Sequence, residues 1–241
     1  MRVVTARDYD QMSRKAAFIF AAQLVRKPDS VLGLATGDTP KGLYRELIRM
    51  HREGDIDFSS ASSFNLDEYV GLRPDDPQSY RHYMREQLFS HVNIRPESTR
   101  VPDGTAGDLD AECVRYESAL RSAGGADIQV LGLGTDGHIG FNEPDQEFPA
   151  ATHIVRLDES TIEANSRFFR SREEVPTMAI TMGIGTIMSA RSIVLLASGR
   201  SKAEPVRGMV RGPITPRLPA SVLQLHPDVI VILDEEAASL L

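Results

Sequence analysis

The chain has 241 residues, with 34 acidic side chains against 27 basic ones and a formal charge of −7. Its 41% hydrophobic and 25% charged residues exclude a disordered or fibrous protein, and the length predicts one domain over residues 1–241, enough chain to bury both faces of a sheet. The acidic balance argues against nucleic acid as the main partner, while a small anion needs only a local set of donors.

Taken in chain order, the N-terminal MRVVTARDYD lacks the apolar segment of a signal peptide, and no apolar run approaches ~18 residues. The expected compartment is the cytoplasm, with no membrane partner. Val3 and Val4 begin a short strand, and Met12, Ala16, Ile19, Phe20 and Leu24 mark one face of a helix. Residues 31–35 read as a buried strand, followed by a turn at Thr36-Gly37-Asp38 and a helix starting at Thr39-Pro40. Residues 62–66 form another strand. A helix starts at Pro77 and carries Tyr80, Met84 and Leu88; a further one carries Leu109, Cys113, Tyr116 and Leu120. Strands follow at 128–133, 178–181, 193–197 and 229–233, with a short helical stretch at 184–190. A lone cysteine excludes an internal disulfide and a CxxC metal frame. Cys113 has no partner base in view, so it reads as a packing residue.

This alternation predicts an α/β fold: a three-layer arrangement of a mostly parallel sheet with helices on both faces. Ligands of such sheets bind beyond the carboxyl ends of the strands, where strand order reverses. Chemistry is therefore expected just after Ala35, Leu66, Leu133 and Ala197.

Four segments at those places carry suitable residues. In the first, Thr39 is a good N-cap, Pro40 fits the first helical position, and Gly37 can take a positive φ; the free N–H groups there suit an anion such as a phosphate. In the second, Asp67 and Glu68 are adjacent on an extended segment, so at most one of them faces a given pocket. A partly desolvated carboxylate there can serve as a general base; the plainer reading is a solvated acidic loop. The third runs from Gly132 to Pro144. It contains GxGxxG, but the dinucleotide motif needs a helix directly afterwards, whereas Pro144 and Pro149 follow. What remains is a Gly-rich loop presenting Asp136, His138 and Glu143, an imidazole with two carboxylates, suited to moving protons near neutral pH or to a plain structural hydrogen bond. It offers few metal ligands and no thiolates, so no metal is expected. The fourth supplies cations for an anionic substrate: Lys202, with Arg200 as its rival, joined by Arg167 from another segment. His226 reads as structural, and Tyr80 and Tyr83 as packing.

The strings LGLATGDTP, FNLDEYVGL, GLGTDGHIGFNEP, ANSRFF, SGRSK and LQLHP, in this order from near residue 31 to 234, resemble the glucosamine-6-phosphate deaminase family. The resemblance implies a Rossmann-like domain that converts glucosamine 6-phosphate and water to fructose 6-phosphate and ammonia, with no nicotinamide and no metal. It implies that Asp67 is the base at C2 and that His138 opens the sugar ring, with Asp136 and Glu143 orienting and tuning it. Arg167, Lys202 and the loop through Gly37 and Thr39 would hold the phosphate. The FNLDEYV and FNEP strings favour this activity over the related 6-phosphogluconolactonases. Asp38 departs from the family, which commonly has Gly or Ser there; its carboxylate is expected to point away from a bound phosphate. The resemblance is to the short form of the family, without the segment of allosterically activated members. Residues near 146–176 are expected to form a lid. Oligomeric state and preference between glucosamine and galactosamine 6-phosphate are not legible at this level.

Overall fold

The computed structural model describes residues 1–166, 169 and 171–241. Among these, seven strands form one parallel sheet: β1 (Arg2–Ala6), β2 (Val31–Leu34), β3 (Ser62–Asn65), β5 (Thr99–Arg100), β6 (Ile128–Leu131), β9 (Ile193–Ala197) and β10 (Val229–Asp234). Their order is β1-β10-β9-β6-β2-β3-β5, every neighbouring pair parallel. All residues of β2, β6, β9 and β10 are buried, which requires cover on both faces. From β2 the chain steps outward to β3 and β5, whereas β6, β9 and β10 lie on its other side. The order thus reverses between β2 and β6, and the crevice at their carboxyl ends is the expected ligand position.

A second sheet, β4 (Asp67–Tyr69), β8 (Met178–Thr181) and β7 (His153–Arg156), is antiparallel in the order β4-β8-β7. This corrects the expectation that residues 178–181 join the parallel sheet, and β7 was not expected. The chain changes sheets at Leu66: its N–H still donates to Leu34 of β2 (3.0 Å), while its carbonyl accepts from Met182, just past β8 (2.8 Å). Tyr69, Phe141, Leu157, Ile162, Val175 and Ala179 form a small core of their own beneath this sheet.

The helices are α1 (Tyr9–Arg26), α2 (Lys41–Arg52), α3 (Tyr80–Gln87), α4 (Leu109–Ser122), α5 (Glu159–Ser166), α6 (Ile184–Met188) and α7 (Ala203–Arg211). The expected start at Pro77 is corrected to Tyr80, because Ser79 is the cap and accepts from the His82 N–H. The strand expected over 128–133 ends at Leu131. Elements β5, α5 and α7 were not expected; β7 and α5 fall within the segment read as a lid. Among the described residues no helix is long and apolar enough to cross a membrane.

The start of α2 also differs from expectation. Pro40 occupies the cap position with helical backbone angles and no side-chain cap bond, so Thr39 is not the N-cap. The capping atom comes from α1: the Tyr9 hydroxyl accepts from Gly42 N–H (2.8 Å) and lies 3.0 and 3.1 Å from the carbonyls of Asp38 and Thr39. Replacing Tyr9 with Phe leaves an N–H without its partner at the end of α2. The expected cost is about 1 kcal/mol, read as a lower denaturation midpoint with an unchanged m-value.

Candidate functional site

Segments following β2, β3, β6 and β9 meet at the carboxyl edge of the parallel sheet. The first is the 36–40 turn. Gly37 has φ +92°, the left-handed geometry that glycine accepts without strain, and its carbonyl takes a 2.6 Å hydrogen bond from the Tyr83 hydroxyl. Tyr83 is thus more than packing, a correction to the sequence reading. Tyr80 packs its ring against those of Tyr69 and Phe141, with centroids 4.8 and 6.1 Å apart. Asp38 is exposed, and its Oδ1 lies 2.8 Å from the Lys41 ammonium, so a cation of the next turn neutralises it. A cavity of about 140 Å³ beside this turn is lined by Gly37, Asp38, Lys41, Tyr69, Tyr80, Tyr83 and Phe169.

The second segment carries Asp67 and Glu68, which are buried in β4 rather than displayed on a loop. Burial, reinforced by the negative charge of Glu68, pushes the Asp67 carboxyl up to about 8. Glu68 points away from Asp67 and accepts from the backbone N–H groups of Tyr69, Tyr80 and Arg81. Burial raises it to about 7 against the pull of those three donors.

The third segment is the loop after β6. In the β4–β8 register Asp67 lies opposite Thr181, whose hydroxyl accepts from the Phe141 N–H (3.1 Å). The Asn142 amide donates to the carbonyls of Ile139 and Met182, both at 2.9 Å. These bonds fasten the 139–142 turn to the end of β8 and bring it against the carboxylate. A methyl placed on Gly140 would sit 3.7 Å from Asp67 Oδ2 and 3.0 Å from Thr181 Oγ1. Neither Thr181 nor Asn142 was singled out in the sequence, although Asn142 lies within the FNEP string.

Asp136 and His138 occupy the same loop. His138 Nδ1 is 2.7 Å from Asp136 Oδ1, ion-pair distance without hydrogen-bond alignment, and the His138 N–H donates to the same oxygen at 3.1 Å. Burial raises the Asp136 carboxyl, but the adjacent imidazole outweighs it and the net shift is downward. An ionised Asp136 beside Nδ1 favours the tautomer that leaves Nε2 for another partner. The ring packs directly over Gly134: a methyl there would fall 2.5 Å from both Cε1 and Cγ. Glu143 is half-buried, and its Oε2 accepts from the Asp158 N–H at 3.0 Å. Among the described residues, no group of three or more His, Cys, Asp or Glu side chains is arranged to hold a metal ion.

The fourth segment follows β9. Asp234, at the end of β10, accepts from the Ser198 hydroxyl (2.5 Å) and the Gly199 N–H (2.9 Å), holding the turn that leads to Lys202. Burial lowers the Lys202 ammonium, and the charge of Asp136 acts in the opposite direction. Its rival Arg200 is exposed. Arg167 lies outside the described residues.

The remaining candidates are structural. His226 donates from Nε2 to the Ala190 carbonyl (2.8 Å) and accepts at Nδ1 from Asp228 N–H (3.1 Å). Cys113 is buried, and burial with nearby Asp110 and Glu112 pushes its thiol up to about 11, away from thiolate chemistry.

This arrangement can move protons at two points, a desolvated carboxylate and a carboxylate-linked imidazole, beside a turn and a cation suited to an anion. Comparison with known proteins gives it a context. A glucosamine-6-phosphate deaminase of Halothermothrix orenii is 56% identical over 241 residues, covering 100% of both chains. The solved structure of a monomeric glucosamine-6-phosphate deaminase matches with a TM-score of 0.98 at 51% identity, over 100% of each chain. A 6-phosphogluconolactonase from Trypanosoma cruzi matches with a TM-score of 0.79 at 19% identity, over 99% of this chain and 96% of its own, a likeness of fold alone. Residues 7–231 match the family described as glucosamine-6-phosphate isomerases/6-phosphogluconolactonase, and with relatives this similar along its whole length the chain belongs to that family.

Proposed function

We propose that this chain, acting as one domain over residues 1–241, converts glucosamine 6-phosphate and water to fructose 6-phosphate and ammonia in amino-sugar breakdown, in the cytoplasm. The observation that carries the reading is a buried carboxylate of raised proton affinity, Asp67, set against the loop that holds the Asp136–His138 pair. It rests as well on the activity named for relatives more than half identical to it.

The chemistry suits these groups. Opening the pyranose removes a proton from the anomeric hydroxyl and delivers one to the ring oxygen; His138 Nε2 is the shuttle, with Asp136 holding the opposite nitrogen and Glu143 tuning it. The free aldehyde acidifies the C2 hydrogen. Asp67 takes that proton, giving an enolamine, and returns it to C1. The C2 iminium then adds water and releases ammonia. Lys202, Arg167 and the Gly37–Thr39 turn hold the phosphate, fixing C2 beside Asp67 through binding energy remote from the reacting bond. The partner is thus a small sugar phosphate, with neither nucleic acid nor membrane required.

Incubation with glucosamine 6-phosphate, with ammonia and fructose 6-phosphate both measured, tests this directly. Equimolar release of the two supports it. Absence of both, or hydrolysis of 6-phosphogluconolactone in their place, overturns it. Within this scheme Lys202→Met removes one cation from the phosphate and leaves the reacting groups alone. The Michaelis constant is expected to rise about 10- to 100-fold, the worth of a charged hydrogen bond, with kcat changed far less, as steady-state kinetics will show.

A further inference from the structure

We infer that Glu68 is a positioning residue for Asp67, tying β4 to the first turn of α3 and setting a second negative charge on the opposite face of the same strand. This rests on the reading of Asp67 as the base.

The geometry is specific. Helix starts leave N–H groups without intrahelical partners, and the first three of α3 are all taken: Tyr80 and Arg81 donate to Glu68 at 2.9 and 3.0 Å, and His82 donates to Ser79 Oγ at 3.0 Å. Glu68 therefore works as a charged cap from twelve residues upstream, and its Oε1 also accepts from the N–H of Tyr69 (2.9 Å). Only 3% of Glu68 is exposed. Solvent would satisfy an ordinary helix start, so a buried carboxylate spanning two elements points to a fixed separation between them. Because neighbouring strand residues face opposite ways, a bond network on the Glu68 side holds the Asp67 side in place without touching it.

Several charges and phenols bear on the pair. On the Glu68 side this is Arg81 of α3, and Asp103, in the loop before α4, and Arg115 of α4 line a cavity of about 420 Å³ together with Glu68. On the Asp67 side they are the phenols of Tyr44 from α2, Tyr80 from α3 and Tyr116 from α4. Glu68 is the carboxylate whose charge acts on Asp67.

The experiment compares Glu68→Gln with Glu68→Asp, once wild type has been shown to release ammonia and Asp67→Asn has not. The amide of Gln keeps one acceptor but loses the charge and opposes an N–H with its own NH₂ group. Its kcat is expected to fall about tenfold, and the acid limb of its kcat/KM profile to move down by about one pH unit as the like charge disappears. The shorter Asp keeps the charge but does not span to α3, so kcat falls while the limb stays where wild type has it. Wild-type kcat in Glu68→Gln, or a limb that stays put in both variants, overturns the inference and leaves the reading of Asp67 standing. If Glu68→Gln melts below the assay temperature, Glu68→Asp decides alone: loss of kcat with the limb in place supports the tie, and wild-type kcat overturns it. An active Asp67→Asn would instead remove the reading on which the inference depends.

Discussion

Replacing Asp67 with Asn is expected to lower kcat/KM for glucosamine 6-phosphate by about 10³- to 10⁴-fold, the upper range for a positioned general base, with the protein still folded. The side chains have nearly the same shape, and the position is buried at the hinge between β3 and β4, so the change removes proton affinity without making a cavity. Loss of activity with an unchanged circular dichroism spectrum is the expected pair of measurements. An active Asp67→Asn enzyme would show that the proton at C2 goes elsewhere.

The same residue sets a pH dependence whose sign can be worked out. A base must be unprotonated to act, and burial with the Glu68 charge pushes the Asp67 carboxyl up to about 8. The kcat/KM profile, which reports the free enzyme, should therefore rise with pH on an acid limb near that value. Stability runs the other way. In the unfolded chain an aspartate titrates near ~3.9, so between that pH and about 8 the folded protein holds a proton that the unfolded chain releases. The contribution of Asp67 to stability is complete below ~3.9 and is lost as pH rises towards 8. Asp67→Asn carries no such proton. It should melt at a higher temperature than wild type at pH 8, with the gap closing towards pH 4, which calorimetry across that range will measure.

How much of this was legible depends on how local each cause is. Residues 31–35, 193–197 and 229–233 read as strands because burial on both faces leaves continuous apolar runs, and the strands run over 31–34, 193–197 and 229–234. The strand-end rule then pointed to the candidate segments, which the fold brings together at the carboxyl edge of the parallel sheet. What failed was non-local. The cap of α2 is the Tyr9 hydroxyl, 33 residues from the Gly42 N–H it accepts, so local propensity assigned it to Thr39. The plainer reading of Asp67-Glu68, a solvated acidic loop, fails because the start of α3 supplies the donors that let Glu68 be buried. Strand β7 is only partly buried and has no clean alternation, and its partner β8 was taken for a member of the other sheet. The GxGxxG string leads from β6 to β7 with no helix between them, and the reason for its second glycine appears only with the imidazole in place.

That glycine carries the second large effect. Gly134→Ala is expected to lower kcat/KM by about 10²- to 10³-fold, approaching the loss from removing His138 itself. An added methyl would stand 2.5 Å from Cε1 and Cγ of the ring, far inside contact distance, and a planar ring has no flexible end to swing aside. Its Nδ1 is also engaged with Asp136 at 2.7 Å, so yielding means leaving the carboxylate and moving Nε2 off the ring oxygen it must serve. Gly132→Ala is the matched control: it lies in the same string, has no positive φ, and a methyl there meets nothing within 4 Å. It should retain nearly wild-type kinetics, whereas a loop that needed both glycines for a ligand would suffer from either change. Because Gly134 acts through His138, the double variant with His138→Gln should be barely worse than His138→Gln alone, a non-additivity expected of groups that work as a unit. Two independent, multiplying losses in that cycle would show that Gly134 serves something other than the imidazole.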